Sequence, residues 1–425
     1  MYYTTVGMTR ESLAHLDEVS RHPLISKGIR AIKVSLGPFY DSILADDIKV
    51  FAAFRASKMR RNIERWEQGI DNQLTRPIPI EVYQGVIATA ASFVRSLEEV
   101  AARGIDRIPF DHFRIAEAHT KYRQLYEEHK DFSSSFAQAI TSAMVRMPTA
   151  TWLKINDEKS YIYPGSTMAH MLSEALEGAD SLQDFMVSPV RWEDVRKFRL
   201  GPPPFNLVGE LLLSIQRLNI RLAGFYIQFP PPVASSSDTA TTHEPALLRA
   251  AANQLKSIVF KPQIGWDDSW TERAPDEWAD FTSFLRTILQ TKSLQRINLN
   301  FYFMGNNPPP LLSMASPLLS YTWPNLETLY FHGPFHYEEL KAVVEPLDRN
   351  VSLRWSGYLM SGSWIDVLDL LRGRNSLVQR LGTTFDGQEY DLMTHAERRF
   401  LFEEDEDEEY DYGYPGLLAP ALVLR

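Results

Sequence analysis

The sequence predicts an α/β chain built as an irregular solenoid, with parallel strands on a concave side, helices outside and an all-helical insertion after the first strand. Three observations predict it: short β-type runs that stop at proline, a shared apolar spacing inside those runs, and amphipathic helical segments between them. The stops are Leu36-Gly37-Pro38, Leu200-Gly201-Pro202, Phe229-Pro230, Phe260-Lys261-Pro262 and Phe331-His332-Gly333-Pro334. Proline lacks a backbone donor and fixes φ, so a recurring strand-then-proline stop implies one supersecondary unit used repeatedly.

Aligned on these stops, the runs place apolar residues at i, i+3 and i+5. They are Ile29, Ile32, Val34; Ala150, Leu153, Ile155; Val195, Phe198, Leu200; Leu222, Phe225, Ile227; Leu255, Ile258, Phe260; Leu294, Ile297, Leu299; and Leu326, Leu329, Phe331. An eighth run, Val351 and Leu353, carries Asp348 at the leading position. Spacing alone is weak, because at 44% hydrophobic content about one window in twelve matches by chance. Specificity comes from the β-branched and aromatic content of the runs, the proline or glycine that follows, and the helical signal before the next. From Leu153 onward the runs recur every 24 to 45 residues or so, at or above the period of a leucine-rich repeat.

Segments 207–218, 246–254, 277–290, 337–347 and 364–371 carry apolar residues at three- and four-residue spacing, each an expected outer helix. Parallel strands need crossovers of a dozen or more residues, and these supply them. About 120 residues separate the run at Ile32 from that at Leu153. Helical spacing in 39–54, 82–100, 113–126 and 132–144 fills the gap. The expected divisions are 1–38, an N-terminal helix (11–20) and first repeat strand; 39–146, the helical insertion; 147–375, the repeat array; and 376–425, a C-terminal extension with a disordered acidic tail. The proline-, serine- and threonine-rich stretch 230–243 reads as a loop.

Thr9-Arg10-Glu11-Ser12-Leu13, Ser20-Arg21-His22-Pro23, Ser26-Lys27-Gly28-Ile29-Arg30 and Phe39-Tyr40-Asp41-Ser42-Ile43-Leu44-Ala45-Asp46-Asp47 resemble fungal F-box and leucine-rich-repeat-like proteins. Ala143-Met144-Val145-Arg146-Met147-Pro148 and Trp323-Pro324-Asn325-Leu326-Glu327 extend the resemblance, which spans roughly residues 9 to 375. It implies the substrate-recognition part of a cullin-type ubiquitin-ligase receptor, whose F-box would hold a Skp1-type adaptor. Only 28 residues precede the first expected strand, too few for an F-box, so that module is expected to be absent.

Composition narrows the function. The 425 residues contain no cysteine, which removes disulfides, thiolate zinc sites and cysteine nucleophiles. No secretory leader and no apolar stretch of about 18 residues occurs, so a soluble intracellular protein, cytoplasmic or nuclear, is expected. The net charge is -10, yet eight of the nine residues from Glu403 to Asp411 are acidic, leaving the rest nearly neutral. No phosphate-binding loop, dinucleotide turn or nucleophile elbow is present, so no catalytic, cofactor or metal residues are assigned. His332 and His336, divided by Gly333-Pro334, read as surface histidines at a turn. Lys58, Arg60, Arg61 and Arg65 beside Trp66 read as a solvated helix face.

Side chains between the core positions of a repeat strand alternate to the concave face. That face is expected to carry Lys33, Lys154, Lys197, Arg199, Tyr226, Lys261, Arg296, Asn298, Tyr330, His332 and Arg354, with no Asp or Glu. The expected function is therefore a non-catalytic scaffold that captures a protein partner or an acidic or phosphorylated peptide. The alternatives are nucleic-acid or phosphate-rich ligand binding through the same face, or an enzyme with an unrecognised site in the helical insertion.

Overall fold

The structure, a computed structural model, describes residues 2–37, 39–71, 80–104, 110–156, 179–190, 194–195, 198, 200–201, 206–228, 245–261, 275–301, 318–319, 321–372, 374, 376–383 and 422–424. It is a mixed α/β protein with a mostly parallel sheet that does not close into a barrel. The strands are β1 (Tyr3–Gly7), β2 (Ala31–Ser35), β3 (Trp152–Asn156), β4 (Gly224–Gln228), β5 (Ser257–Phe260), β6 (Arg296–Asn300), β7 (Thr328–His336), β8 (Ser352–Ser361), β9 (Ser376–Thr383) and β10 (Leu422–Leu424). They lie side by side in chain order, every neighbouring pair parallel except β9 and β10.

The described helices are α1 (Arg10–Arg21), α2 (Ile25–Gly28), α3 (Ser42–Asp46), α4 (Ile48–Asp71), α5 (Ile80–Arg103), α6 (Phe110–Arg146), α7 (Ala179–Val187), α8 (Asn206–Arg217), α9 (Pro245–Ala252), α10 (Pro275–Leu289), α11 (Tyr337–Val344) and α12 (Trp364–Leu371). Among the described residues, no helix is long and apolar enough to cross a membrane.

Alternation along each strand explains the sheet. Two apolar rows cross it in register: Ile32, Leu153, Phe225, Ile258, Ile297, Leu329 and Leu353, and then Val6, Val34, Ile155, Ile227, Phe260, Leu299, Phe331 and Trp355. All are at most 1% exposed and belong to one core cluster with the inward faces of the helices. At the far end the second row becomes aromatic, where Phe331 stacks on Trp355 with centroids 4.4 Å apart.

Five strands begin with one hydrogen-bond device. Two successive N–H groups share a carbonyl of the preceding unit: Thr151 and Trp152 on Arg30, Ala223 and Gly224 on Thr151, Lys256 and Ser257 on Ala223, Gln295 and Arg296 on Lys256, Glu327 and Thr328 on Gln295. The leading apolar residues Ala150, Leu222, Leu255, Leu294 and Leu326 are buried immediately before it.

Several expectations are corrected. Asp194, Val195 and Phe198 have helical backbone, so the run ending at Leu200 is not a strand there. The spacing i, i+3 serves a helix face as well as a repeat strand, and Phe198 packs edge-on to Phe54 at 4.8 Å. Pro334 does not end β7, which continues to His336. β6 ends at Asn300 opposite His332, so beyond it, among the described residues, β7 has a strand partner only in β8, and a missing N–H is tolerated at such an edge. The eighth run sits two residues later than expected, with Leu353 and Trp355 aligned on Leu329 and Phe331.

β1 precedes the expected first strand, and β9 and β10 lie within the stretch 376–425 expected to be a C-terminal extension, where no strand was expected. The acidic run 403–411 and the loop 230–243 lie outside the described residues. The expected helices over 113–126 and 132–144 are one, α6. The one expected over 39–54 is broken at Asp47, with α4 running on to Asp71.

The long helices dock through buried and half-buried polar groups. Arg146 on α6 bonds Asp17 Oδ1 at 2.6 Å and Ser20 Oγ at 2.9 Å on α1. Asp41 caps α3 by accepting from the Leu44 N–H, and its other oxygen accepts from the Gly201 N–H at 2.7 Å. The Tyr122 hydroxyl of α6 accepts from the Asp41 N–H. Arg55 on α4 is fully buried: its guanidinium donates to the Ser188 hydroxyl and carbonyl and lies over the rings of Phe51, Phe54 and Tyr122. Burial pulls its pKa down to about 10, still far above neutrality. The predicted solvated basic face is instead partly engaged. Lys58 contacts the buried Asp194 at 2.8 Å and Arg61 lies 3.7 Å from it, while Arg60 pairs with Glu98.

Arg55→Ala strands the Ser188 acceptor beneath a void and should cost about 3–5 kcal/mol in urea denaturation. Arg55→Met, which keeps the stem among the rings, should cost less; equal losses would show that the guanidinium bonds contribute most of the effect. A second prediction concerns acid. Burial lowers His129 from 6.5 to about 4, and burial lowers His119 as well. The folded state thus binds these protons less readily than the unfolded chain. Stability is complete above pH 6.5 and falls between about 6.5 and 4, by up to about 3 kcal/mol for His129. Asp41, raised by burial, acts in the opposite sense. His129→Gln should flatten the fall in melting temperature over that window; an unchanged slope would remove His129 as its source.

Candidate functional site

The face of the sheet opposite the helices is a register-aligned surface. One row reads Thr5, Lys33, Lys154, Tyr226, Val259, Asn298, Tyr330 and Arg354 from β1 to β8. At the usual spacing between strands, Lys33 to Arg354 spans roughly 30 Å. Nearer the strand starts runs Tyr3, Ala31, Trp152, Gly224, Ser257, Arg296, Thr328 and Ser352. Nearer the strand ends run Gly7, Ser35, Asn156 and Gln228, and then Asn300, His332 and Ser356. Lys261, whose N–H bonds the Ile227 carbonyl, takes the place beside Gln228. No Asp or Glu stands in any of these rows.

Six of the sequence-predicted residues, Lys33, Lys154, Tyr226, Asn298, Tyr330 and Arg354, therefore share one row, flanked by Arg296 on one side and by His332 and Lys261 on the other. Lys197 and Arg199 lie outside the described residues, and the helical backbone around them removes the strand on which they were placed.

The cations and phenols of the row interact. Lys154 Nζ lies 4.7 Å from the centroid of the Tyr226 ring. Burial raises the pKa of Tyr226 and of Tyr330, with Arg354 partly offsetting the second. Both phenols are therefore neutral hydroxyl donors in the physiological range. Asn156 Oδ1 and Asn298 Oδ1 are buried and have no hydrogen-bond partner among the described residues. The face offers fixed positive charge, hydroxyl and amide groups and half-buried aromatic surface, which suits an acidic, hydrogen-bonding ligand.

Thr5, Trp152, Asn156 and Gln228 were missed. The last three were accessible to period-two counting from Lys154 and Tyr226, whereas Thr5 required a strand whose first core position is Thr4.

Elsewhere, an open cavity of about 660 Å³ lies between helix ends and strand starts, lined by Arg249, Asn253, Gln290, Lys292, Tyr321 and Asn325 among others. Arg249 already donates to Gln290, and the Asn325 amide to the Lys292 carbonyl. Among the described residues, no group of three His, Asp or Glu is arranged to hold a metal ion. No protein-family model, curated protein or solved structure matches the chain.

Gly224 is the backbone seat for Trp152. A Cβ built there would meet the indole at 2.3 Å, closer than any real contact. Gly224→Ala should therefore displace the ring and cost about 1–3 kcal/mol. The loss should shrink in a Trp152→Ala background; equal losses in both backgrounds would show that the ring is not the obstruction.

Proposed function

We propose that the chain is a non-catalytic recognition scaffold of irregular leucine-rich-repeat type, whose open sheet face captures an acidic or phosphorylated segment of a protein partner. The observation that carries this reading is the row from Lys33 to Arg354, in which three cations share the register with hydroxyl, amide and aromatic groups and no carboxylate intervenes. Supporting the repeat element are the strand order, which follows the chain, and the shared-carbonyl device at five strand starts. A surface of this kind reads an extended acidic peptide through charge-assisted hydrogen bonds, each stronger than its neutral equivalent. The receptor element of the proposal, recognition on behalf of a ubiquitin ligase, rests on resemblance to the fungal F-box and leucine-rich-repeat-like proteins. Recovery of a Skp1-type adaptor on affinity purification from a fungal host would extend it.

The direct test uses a fluorescein-labelled octaglutamate and a phosphoserine peptide as probes in fluorescence anisotropy. Saturable binding is expected, and the triple variant Lys154→Glu, Lys261→Glu, Arg296→Glu should weaken it at least about tenfold. Absence of binding, or equal affinity in the triple variant, would overturn the proposal. Tighter binding of a single-stranded DNA oligonucleotide, with affinity falling steeply with salt, would replace it by the nucleic-acid reading.

A further inference from the structure

The first strand leaves a free edge whose unpaired groups are complementary to themselves. In this sheet the core-facing residues aim their N–H and C=O groups at the following strand, and the open-face residues aim theirs at the preceding one. Ile227, for example, accepts from Lys261, and Tyr2 from Arg30. Among the described residues no strand lies beyond β1 in the sheet, so Tyr3, Thr5 and Gly7 point their backbone groups outward. The chain itself covers the last of these: the Gly7 N–H donates to Ser12 Oγ at 2.8 Å and the Gly7 carbonyl accepts from the Thr9 N–H at 2.8 Å. The two N–H and two C=O groups of Tyr3 and Thr5 have no partner among the described residues.

Natural edge strands are usually blunted by lysine, proline, a bulge or an overlying element. β1 reads Tyr-Thr-Thr-Val-Gly, uncharged and proline-free, and is paired to β2 without a bulge. Tyr2 beside it and Tyr3 at its start are 79% and 63% exposed.

We infer that this edge pairs with a second copy of the chain, β1 against β1 antiparallel, about a two-fold axis at Thr4. That axis sets Tyr3 opposite Thr5 of the other copy and Thr5 opposite its Tyr3. The two open residues of each copy then exchange all of their N–H and C=O groups, the pairing that an antiparallel ladder repeats every second residue. No charged side chain lies within β1, so the symmetric approach brings no like charges together on the paired strands. The exposed tyrosines supply apolar area beside the new ladder, and the interface is isologous and closes at two copies. A five-residue ladder gives a weak, concentration-dependent dimer.

The test is sedimentation velocity on the full chain from the micromolar to the submillimolar range. A monomer–dimer equilibrium is expected. Thr5→Pro removes an outward N–H that the β1–β2 ladder does not use, and so should raise the dimer dissociation constant at least about tenfold through two lost bonds per dimer. Tyr3→Lys, which adds a charge at an exposed position, should act in the same direction, and melting curves report whether each variant remains folded. A monomer at every concentration would overturn the inference. So would a dimer insensitive to both folded variants, or open-ended oligomers, the signature of head-to-tail pairing between β1 and the opposite edge.

Discussion

Register is the constraint on which the rest of this structure depends. From β1 to β7 each strand meets the next without a bulge, so a residue's position within its own strand fixes its row across the sheet. A slip of one residue anywhere would send a buried row such as Ile155, Ile227 and Phe260 to the open face and bring Lys154 and Tyr226 into the core. The register is pinned at the strand starts, where the shared carbonyls of Arg30, Thr151, Ala223, Lys256 and Gln295 set the height of each unit against the last. The buried leading residues hold that device in place, because a shift of the strand start would expose the apolar surface of Leu222, Leu255 and Leu294 to water.

Against this regular frame, the long helices α4 and α6 are attached by side chains that would be costly anywhere else. Asp41 joins the start of α3 to Tyr122 on α6 and to the Gly201 backbone, while Arg55 and Lys58 of α4 reach Ser188 and Asp194. Each joins segments more than 80 residues apart in sequence. Buried polar groups add little net stability, since desolvation offsets most of the attraction. Their effect is to make one docking angle acceptable and others expensive, because a shifted helix would leave Asp194 or the Ser188 carbonyl buried without a partner.

The legible part of the fold was the part in which one physical signal sufficed. Strands β2 to β7 announced themselves because their core positions are apolar and their neighbours β-branched or aromatic. β1 did not, because Thr4 stands where the other strands have Ile, Leu or Phe. The run at Val195 and Phe198 misled for the converse reason: three-residue spacing is common to a repeat strand and to a helix turn, and only the fold decides between them. Glu127 to Asp131 looked like a break between helices, yet glutamate and lysine are good helix formers and α6 runs through them. The docking pins were illegible because an arginine on a helix gives no sign that Ser188, 133 positions later, will close over it.

The open face was more legible than the tertiary contacts, because alternation is a local property of each strand. What the sequence could not supply was lateral order, and this matters for chemistry. Five cations placed anywhere on their strands would make a diffuse positive field, screened within about 8 Å at physiological salt. Strands in one register convert Lys154 and Tyr226 into a stacked pair and place Tyr330 between Asn298 and Arg354. An extended peptide repeats its outward side chains about every 7 Å, somewhat more than one strand spacing and less than two. A ligand lying across the strands would thus meet a new side chain of the row with nearly every residue it turns toward the sheet, whereas one lying along a strand would meet only three. On the proposed function the geometry therefore favours a ligand that lies across the array, and the row it would meet depends on the same register that holds the core together.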